Sequence, residues 1–295
     1  MISWTKHFPS HKKPLGYLRL LRARMCYEEY LGLSRRSHTG RKPGYQEGYQ
    51  DKLAGLRNKY AGRRGFVIGN GPSLKEMNLS PLKDEITIGS NGLYKLFDEL
   101  GFSTDFLIFE DIEQTEIRGP ELKRVTGPTK LAALYNAYAI ARDKDTIYFN
   151  SPRANRGGYY WESDLYPQFS RDFASGVHLG ATVTYIALQL AYHLGFNEVY
   201  LIGVDHNYGR LSELFPPGKI TITEENLPLV DECHFSKGYY KVGDQIGVPY
   251  SKEQEEAYTL AKTEFELAGR QIFNAGVNSK LAMFPKVDFE EIVSS

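Results

Sequence analysis

An α/β fold with a mostly parallel sheet flanked by helices is what this 295-residue sequence predicts. Two observations carry it. Short apolar runs end in Gly, Asn or Asp, and longer runs of helical period lie between them. Nothing in the sequence repeats, which argues against solenoid and propeller arrays.

Taken in order, GFVIGN (65–70) is a strand running into glycine, EITIGSN (85–91) a second, and TDFLIFED (104–111) a third. DTIYFN (145–150) is a fourth, ahead of a polar, aromatic-rich loop at 153–166. GATVTYIALQLAYHLG (180–195) has helical period, with Gly195 placed to stop it. NEVYLIGVD (197–205) is the most apolar strand, SKEQEEAYTLAKTEFELAG (251–269) a helix with Ser251 as its expected N-cap, and QIFNAG (271–276) the last strand.

Composition narrows the function classes. Hydrophobic residues are 41% and charged residues 24% of the chain, ordinary globular usage that excludes a disordered or low-complexity protein. No apolar run approaches the ~20 residues that span a bilayer, and the N-terminus lacks a secretory core. Two cysteines, Cys26 and Cys233, make neither a disulfide framework nor a zinc motif, so a reducing cytoplasm is the expected location.

The net charge of zero is a cancellation. Residues 1–64 hold fifteen Lys/Arg against four Asp/Glu, a net of +11, and residues 65–295 carry −11. The expected organisation is therefore a basic, aromatic-rich extension (1–64) and an acidic α/β domain (65–295). In the extension, Leu15, Leu18, Leu21 and Met25 share a helical face with Arg19, Arg22 and Arg24 mostly away from it. That pattern suits an anionic membrane surface, a peripheral place on the inner face of the cytoplasmic membrane, and equally a helix packed on the main domain. The acidic main domain argues against nucleic acid as substrate.

Ligands of open parallel sheets bind beyond the carboxyl ends of the strands. The first strand ends in Gly69-Asn70-Gly71-Pro72-Ser73, where two glycines permit close backbone approach, Pro72 suits a first helical turn, and free amides would favour a phosphate. It is neither a dinucleotide fingerprint nor a P-loop. The second strand delivers Asn91 and the third Glu110 and Asp111, a pair able to hold a divalent cation or simply to cap a helix. Ser175-Gly176 offers another amide-and-hydroxyl cradle, and the LIGVD strand brings Gly203, Asp205, His206 and Tyr208 to the same edge. His234 lies in a polar loop and titrates near neutrality, so it is the candidate base. His193 falls inside a helix and reads as structural, while His178 fits either role. Hydrolase triads and HExxH sites have no match.

VIGNGPSL, the following GSN, SGV with its helix, LGFNEVYLIGVD, the later His234-Phe235-Ser236 and Asn278-Ser279 resemble, in this order, the bacterial lipooligosaccharide sialyltransferases over roughly residues 65–285. The same signatures occur in a broader superfamily of motility-accessory flagellin glycosyltransferases and 6-hydroxymethylpterin diphosphokinase-like proteins. The sialyltransferase resemblance implies a Rossmann-like, inverting, metal-independent enzyme with a CMP-activated sugar as donor and a glycan or glycolipid as acceptor. By position, Asn70, Ser73 and Asn91 would contact the nucleotide and its phosphate, joined by Ser175 and Gly176. Gly203 and Asp205 would hold the cytidine or ribose, and His234 would deprotonate the acceptor hydroxyl.

The match has two departures. The paired tyrosines that steady the leaving phosphate are replaced at about that register by His206 and Tyr208, with Tyr159, Tyr160, Tyr239 and Tyr240 as substitutes elsewhere. Glu110-Asp111 stand where those enzymes have asparagine. In the diphosphokinase-like branch an acidic residue there would bind Mg²⁺ on ATP for transfer of pyrophosphate to a pterin alcohol. A non-catalytic nucleotide-sugar-binding scaffold is the third reading. The sequence leaves sugar, linkage and oligomeric state open, a homo-oligomer among them.

Overall fold

A computed structural model describes residues 48–137, 139–140, 143, 145–151, 162–236 and 238–294. The amphipathic pattern of residues 15–25, Tyr159 and Tyr160 lie outside them.

Seven strands form one parallel sheet: β1 (Arg64–Ile68), β2 (Thr87–Ser90), β3 (Phe106–Phe109), β4 (Thr129–Ala133), β5 (Thr146–Phe149), β6 (Glu198–Ile202) and β9 (Gln271–Asn274), in the order β5-β4-β3-β2-β1-β6-β9. The chain steps outward from β1 to β5, then returns to place β6 on the other side of β1. The six strands read from the sequence are present. β4 is an addition, its apolar run interrupted by the buried Lys130.

Helices cover both faces. Phe66 and Ile68 point to one side of β1 and Val67 to the other, the period-2 alternation of a strand buried on both faces. Under Val67 lies a core formed with α1 (Tyr49–Ala54), α4 (Val183–Leu194) and α7 (Ser251–Leu267). The opposite core is closed by the 3₁₀ turns at Pro72–Glu76, Ser80–Asp84 and Leu93–Leu96, by α2 (Phe97–Leu100), α3 (Ile112–Leu122) and α8 (Phe289–Ser294). Gly195 ends α4 in the left-handed region at φ 87°, as its position predicts.

Three local expectations are corrected. Long helix α4 starts at Val183, three residues into the expected 180–195 segment, capped by the Thr182 side chain, which accepts the Thr184 amide. The residue flanking α7 is Tyr250, with no side-chain cap, and Ser251 is already helical. Residues 48–63, basic in the charge division, join the core: Leu53 is fully buried and Tyr60 stacks on Phe196 at 5.8 Å. His193 is structural as expected, fully enclosed, with Nε2 bonded to the Leu53 carbonyl at 2.8 Å and Nδ1 accepting the Phe173 amide at 3.3 Å.

A second, antiparallel pair, β7 (Gly218–Thr221) and β8 (Gln245–Val248), extends beyond the carboxyl edge of the sheet. It has its own small core of Leu211, Ile222, Val230 and Ile246, contributed with α5 (Gly209–Leu214) and α6 (Leu227–Glu232).

Candidate functional site

Because β1 and β6 are neighbours whose connections run to opposite sides, their carboxyl ends splay apart and open a cleft, the usual ligand position in such sheets. Asn70, Ser90, Thr182, Asp205, His206 and His234 line it, with Tyr208, Cys233 and Tyr258.

The glycines at this edge serve the backbone. A Cβ on Gly69 would stand 2.2 Å from the Gly203 carbonyl oxygen, and one on Gly71 would stand 2.5 Å from the Asp205 carboxylate. Gly203 sits at φ 61° and accepts the Gly71 amide at 2.8 Å. The expected phosphate cradle is already taken. The Asp205 carboxylate accepts both the Ser73 amide, at 2.9 Å, and the Ser73 hydroxyl. This turn is therefore approached by an anion of the chain itself, and the amides of Gly69, Gly71 and Ser73 are already engaged.

His234 is held at both faces of its chemistry. Its Nδ1 donates to the Val230 carbonyl at 2.9 Å, which leaves Nε2 as the acceptor nitrogen. The ring stacks on Tyr239 with centroids 4.7 Å apart. Burial and the nearby Arg118 guanidinium push its pKa below the ordinary histidine value, which keeps it neutral at physiological pH. Tyr239 in turn accepts the Gly92 amide at 2.8 Å and donates to Asn70 Oδ1 at 3.4 Å. The Arg118 guanidinium lies 4.3 Å from its ring centre and donates to its carbonyl at 2.7 Å. Gly92 is required here, since its Cβ would meet the Tyr239 ring at 2.5 Å.

Across the cleft, α7 presents adjacent partners. Glu255 bonds His206 Nε2 at 3.0 Å and Gln254 accepts the Tyr208 hydroxyl at 3.2 Å. Burial raises the Tyr208 phenol well above its usual value, so it acts as a donor.

Next to the cleft, and sharing Thr182 and Val183 with it, lies a compartment walled by Asn91, Glu110, Asp111, Lys219, Tyr240 and Tyr250. Glu110 accepts the Tyr135 hydroxyl, and Asp111 caps α3 by accepting the Gln114 amide at 2.7 Å. Burial lifts Glu110 from 4.5 to about 7 and Asp111 from 3.8 to about 6, the neighbouring Glu113 adding to the latter. Asn91 Oδ1 is buried with no hydrogen-bond partner. These are hard oxygen donors of the kind Mg²⁺ takes when phosphates and water complete its shell. Among the described residues no group of three His, Cys, Asp or Glu could hold a metal alone. The set thus fits a metal shared with a nucleotide, not a closed protein cage.

A titration follows from these raised values. In the folded protein Glu110 keeps a proton that the unfolded chain releases near 4.5, so its contribution is full below that pH and lost as pH rises through about 7. The ligand-free protein should lose about 3 kcal/mol from this group between pH 4.5 and 8. Urea unfolding across that range should show a weaker decline for Glu110→Gln, and an identical decline would refute it.

Of the predicted residues, the cleft gathers Gly69, Asn70, Gly71, Gly203, Asp205, His206, Tyr208 and His234, with Ser73 behind Asp205. Asn91, Glu110 and Asp111 stand together in the adjoining compartment. Ser175 and Gly176 line neither; the Ser175 hydroxyl bonds Asp172 at 2.7 Å. Unanticipated were Arg118, Gln254, Glu255 and the Thr182–Thr184 turn. For the last, the Thr182 cap ahead of an apolar run was the available signal.

The model of a family described as 6-hydroxymethylpterin diphosphokinase MptE-like matches residues 44–210, more than half of the chain. No curated protein matches the sequence. Among solved structures, a MAf glycosyltransferase from Magnetospirillum magneticum AMB-1 is similar at 13% identity and TM-score 0.47, covering 81% of this chain and 38% of its own. The sialyltransferase CST-II, in complex with a trisaccharide acceptor and CMP, is similar at 15% identity and TM-score 0.40, covering 76% and 86%. A mammalian sialyltransferase in complex with Gal-beta-1-3GalNAc-ortho-nitrophenol follows at 10% identity and TM-score 0.38, covering 92% and 88%.

Proposed function

The chain belongs to the 6-hydroxymethylpterin diphosphokinase MptE-like family, and from that premise we propose that it transfers a nucleotide-activated group to a hydroxyl. The reading is an inverting glycosyltransferase that moves a sialic-acid-like or related acidic sugar from a CMP-activated donor to a glycan or glycolipid. The observation that carries it is His234, held neutral with its Nε2 lone pair available at the topological switch point.

In this chemistry the acceptor hydroxyl gives its proton to His234 Nε2 as its oxygen bonds the anomeric carbon. The bond from that carbon to the phosphate oxygen breaks, and its electron pair leaves with CMP. Proton transfer to a positioned base supplies on the order of 10²- to 10⁴-fold. Thr182 and Thr184 line the cleft and would offer neutral hydroxyls to the departing phosphate, whereas Tyr208 gives its proton to Gln254 and would serve only by turning away from it.

A second reading is favoured by one feature, the Glu110, Asp111 and Asn91 oxygens. They would hold Mg²⁺ on ATP in a diphosphotransferase, where the metal supplies charge neutralisation for the phosphates. His234 would remain the base toward the acceptor alcohol. Thermal shift against CMP, CDP, UDP and ATP, each with and without EDTA, separates the two. Saturating CMP at 100 times Kd should add about 2.7 kcal/mol of stability regardless of EDTA. Stabilisation by ATP alone, abolished by EDTA, overturns the CMP reading in favour of the diphosphotransferase.

A further inference from the structure

The cleft has a charge problem. Among the described residues that line it there is no Lys or Arg, and the Asp205 carboxylate adds negative charge beside the position a nucleotide phosphate would take. His206 is the one lining side chain paired with a carboxylate, and its geometry fixes what it can offer. Glu255 Oε1 accepts from Nε2, so Nε2 carries a proton. The other nitrogen, Nδ1, makes no hydrogen bond among the described residues. A phosphate oxygen is an acceptor and can bond Nδ1 only when that nitrogen is protonated too, which makes the ring an imidazolium between two anions.

His234 is set up oppositely. Its partner is an uncharged backbone carbonyl, and burial and the cation Arg118 outweigh the attraction of Asp231, so a second proton is disfavoured. Two histidines of one cleft are thereby divided between acid and base tasks by their partners. The backbone supports a fixed role for the first: His206 sits at φ 49°, a left-handed conformation that a non-glycine residue adopts at a cost.

We propose that His206, held by Glu255, takes up a proton as the nucleotide phosphate binds and is the cation that neutralises it. Nδ1–H then donates to the phosphate oxygen that receives the electron pair of the breaking bond. Glu255 is the positioning residue, touching the ring and not the ligand. Tyr208 from its own loop and Tyr258 from α7 stand edge-on to the ring, with centroids 6.0 and 6.3 Å away, and the other titratable groups of the cleft are Asp205, Cys233 and His234. This rests on the reading of the cleft as a nucleotide-phosphate site.

Calorimetry of the full chain at pH 8, in buffers of different ionisation enthalpy, counts the protons exchanged. CMP is fully dianionic there, since its second pKa is near 6. CMP should bind with uptake of about one proton and weaken by up to tenfold per pH unit between pH 8 and 9. Cytidine, lacking the phosphate, should bind with no uptake. His206→Asn should abolish the uptake and the CMP advantage while leaving cytidine affinity unchanged. Glu255→Gln keeps an acceptor for Nε2 but loses the charge, and should weaken CMP at least tenfold without affecting cytidine. CMP binding without proton uptake, or with uptake retained in His206→Asn, overturns the proposal. If neither CMP nor cytidine binds, the CMP reading falls, and sulfate, which does not titrate in this range, decides the anion role. Sulfate binding with His206-dependent proton uptake upholds it, and sulfate binding without that dependence, or none, ends it.

Discussion

Replacing His234 by glutamine should lower transfer by about 10²- to 10⁴-fold while leaving nucleotide affinity within a few-fold of the native chain. The substitution removes the Nε2 lone pair but keeps a side chain that can fill the space beside Tyr239. The native enzyme should also lose kcat/KM on the acid side, because His234 must be neutral to accept a proton. Burial pushes its pKa below 6.5, so the acid limb lies below that value. Single-turnover rates with the donor and acceptor of the active pair, measured from pH 5 to 8, give both results. Full turnover in His234→Gln, or an acid limb that survives the substitution, would remove His234 from the chemistry.

Lys130→Met should cost about 3–5 kcal/mol of folding stability, the range for stranding one partner of a buried ion pair. Lys130 and Asp143 are bonded at 2.7 Å with side chains 3% and 6% exposed. The same ammonium donates to the Leu122 carbonyl at the end of α3, at 3.2 Å. Asp143 also accepts the Thr146 hydroxyl at 2.7 Å, and these bonds hold its pKa low despite burial. With Lys130 gone, Asp143 keeps a desolvated charge or takes a proton. The loss reaches function because α3 carries Asp111 at its start and Arg118 beneath Tyr239. Urea denaturation measures it, and Lys130→Met/Asp143→Leu should recover most of the loss since no charge is left unpaired. A single-variant cost below about 1 kcal/mol would refute the argument.

The same lysine shows why one strand escaped the sequence reading. TKLAA, with Lys130 second and two alanines, lacks the run of bulky apolar residues seen in its neighbours FLIF and TIYF. It sits between β3 and β5 with its lysine buried because a partner 13 residues downstream neutralises the charge. Strands ending in a glycine or an acidic pair were legible because their own residues are apolar on both faces. At the site, side chains delivered by strand ends were found, since the edge of a parallel sheet gathers what its strands carry. Glu255 and Arg118 were not. Each lies on a helix remote in sequence from the histidine it serves, and both look like solvated helical charges until the fold is known. The run GNGPS was misread for a related reason. Glycines needed for backbone-to-backbone approach look the same as glycines that admit a phosphate, and only the position of Asp205 tells them apart.

The β7–β8 pair with its own small core has a consequence for how such a protein diversifies. Gly218, Lys219, Gly247 and Val248 wall the acidic compartment, whereas His206 stands on the sheet edge and His234 is tied back to it through Tyr239. The two imidazoles are thus mounted on different supports: His206 answers to the sheet edge and α7, whereas His234 is also bonded to the Val230 carbonyl of the small core. Substitutions at Leu211, Ile222, Val230 or Ile246 should therefore re-aim the His234 ring while leaving His206 in place. One histidine is set by the sheet, and the other rides on the small core.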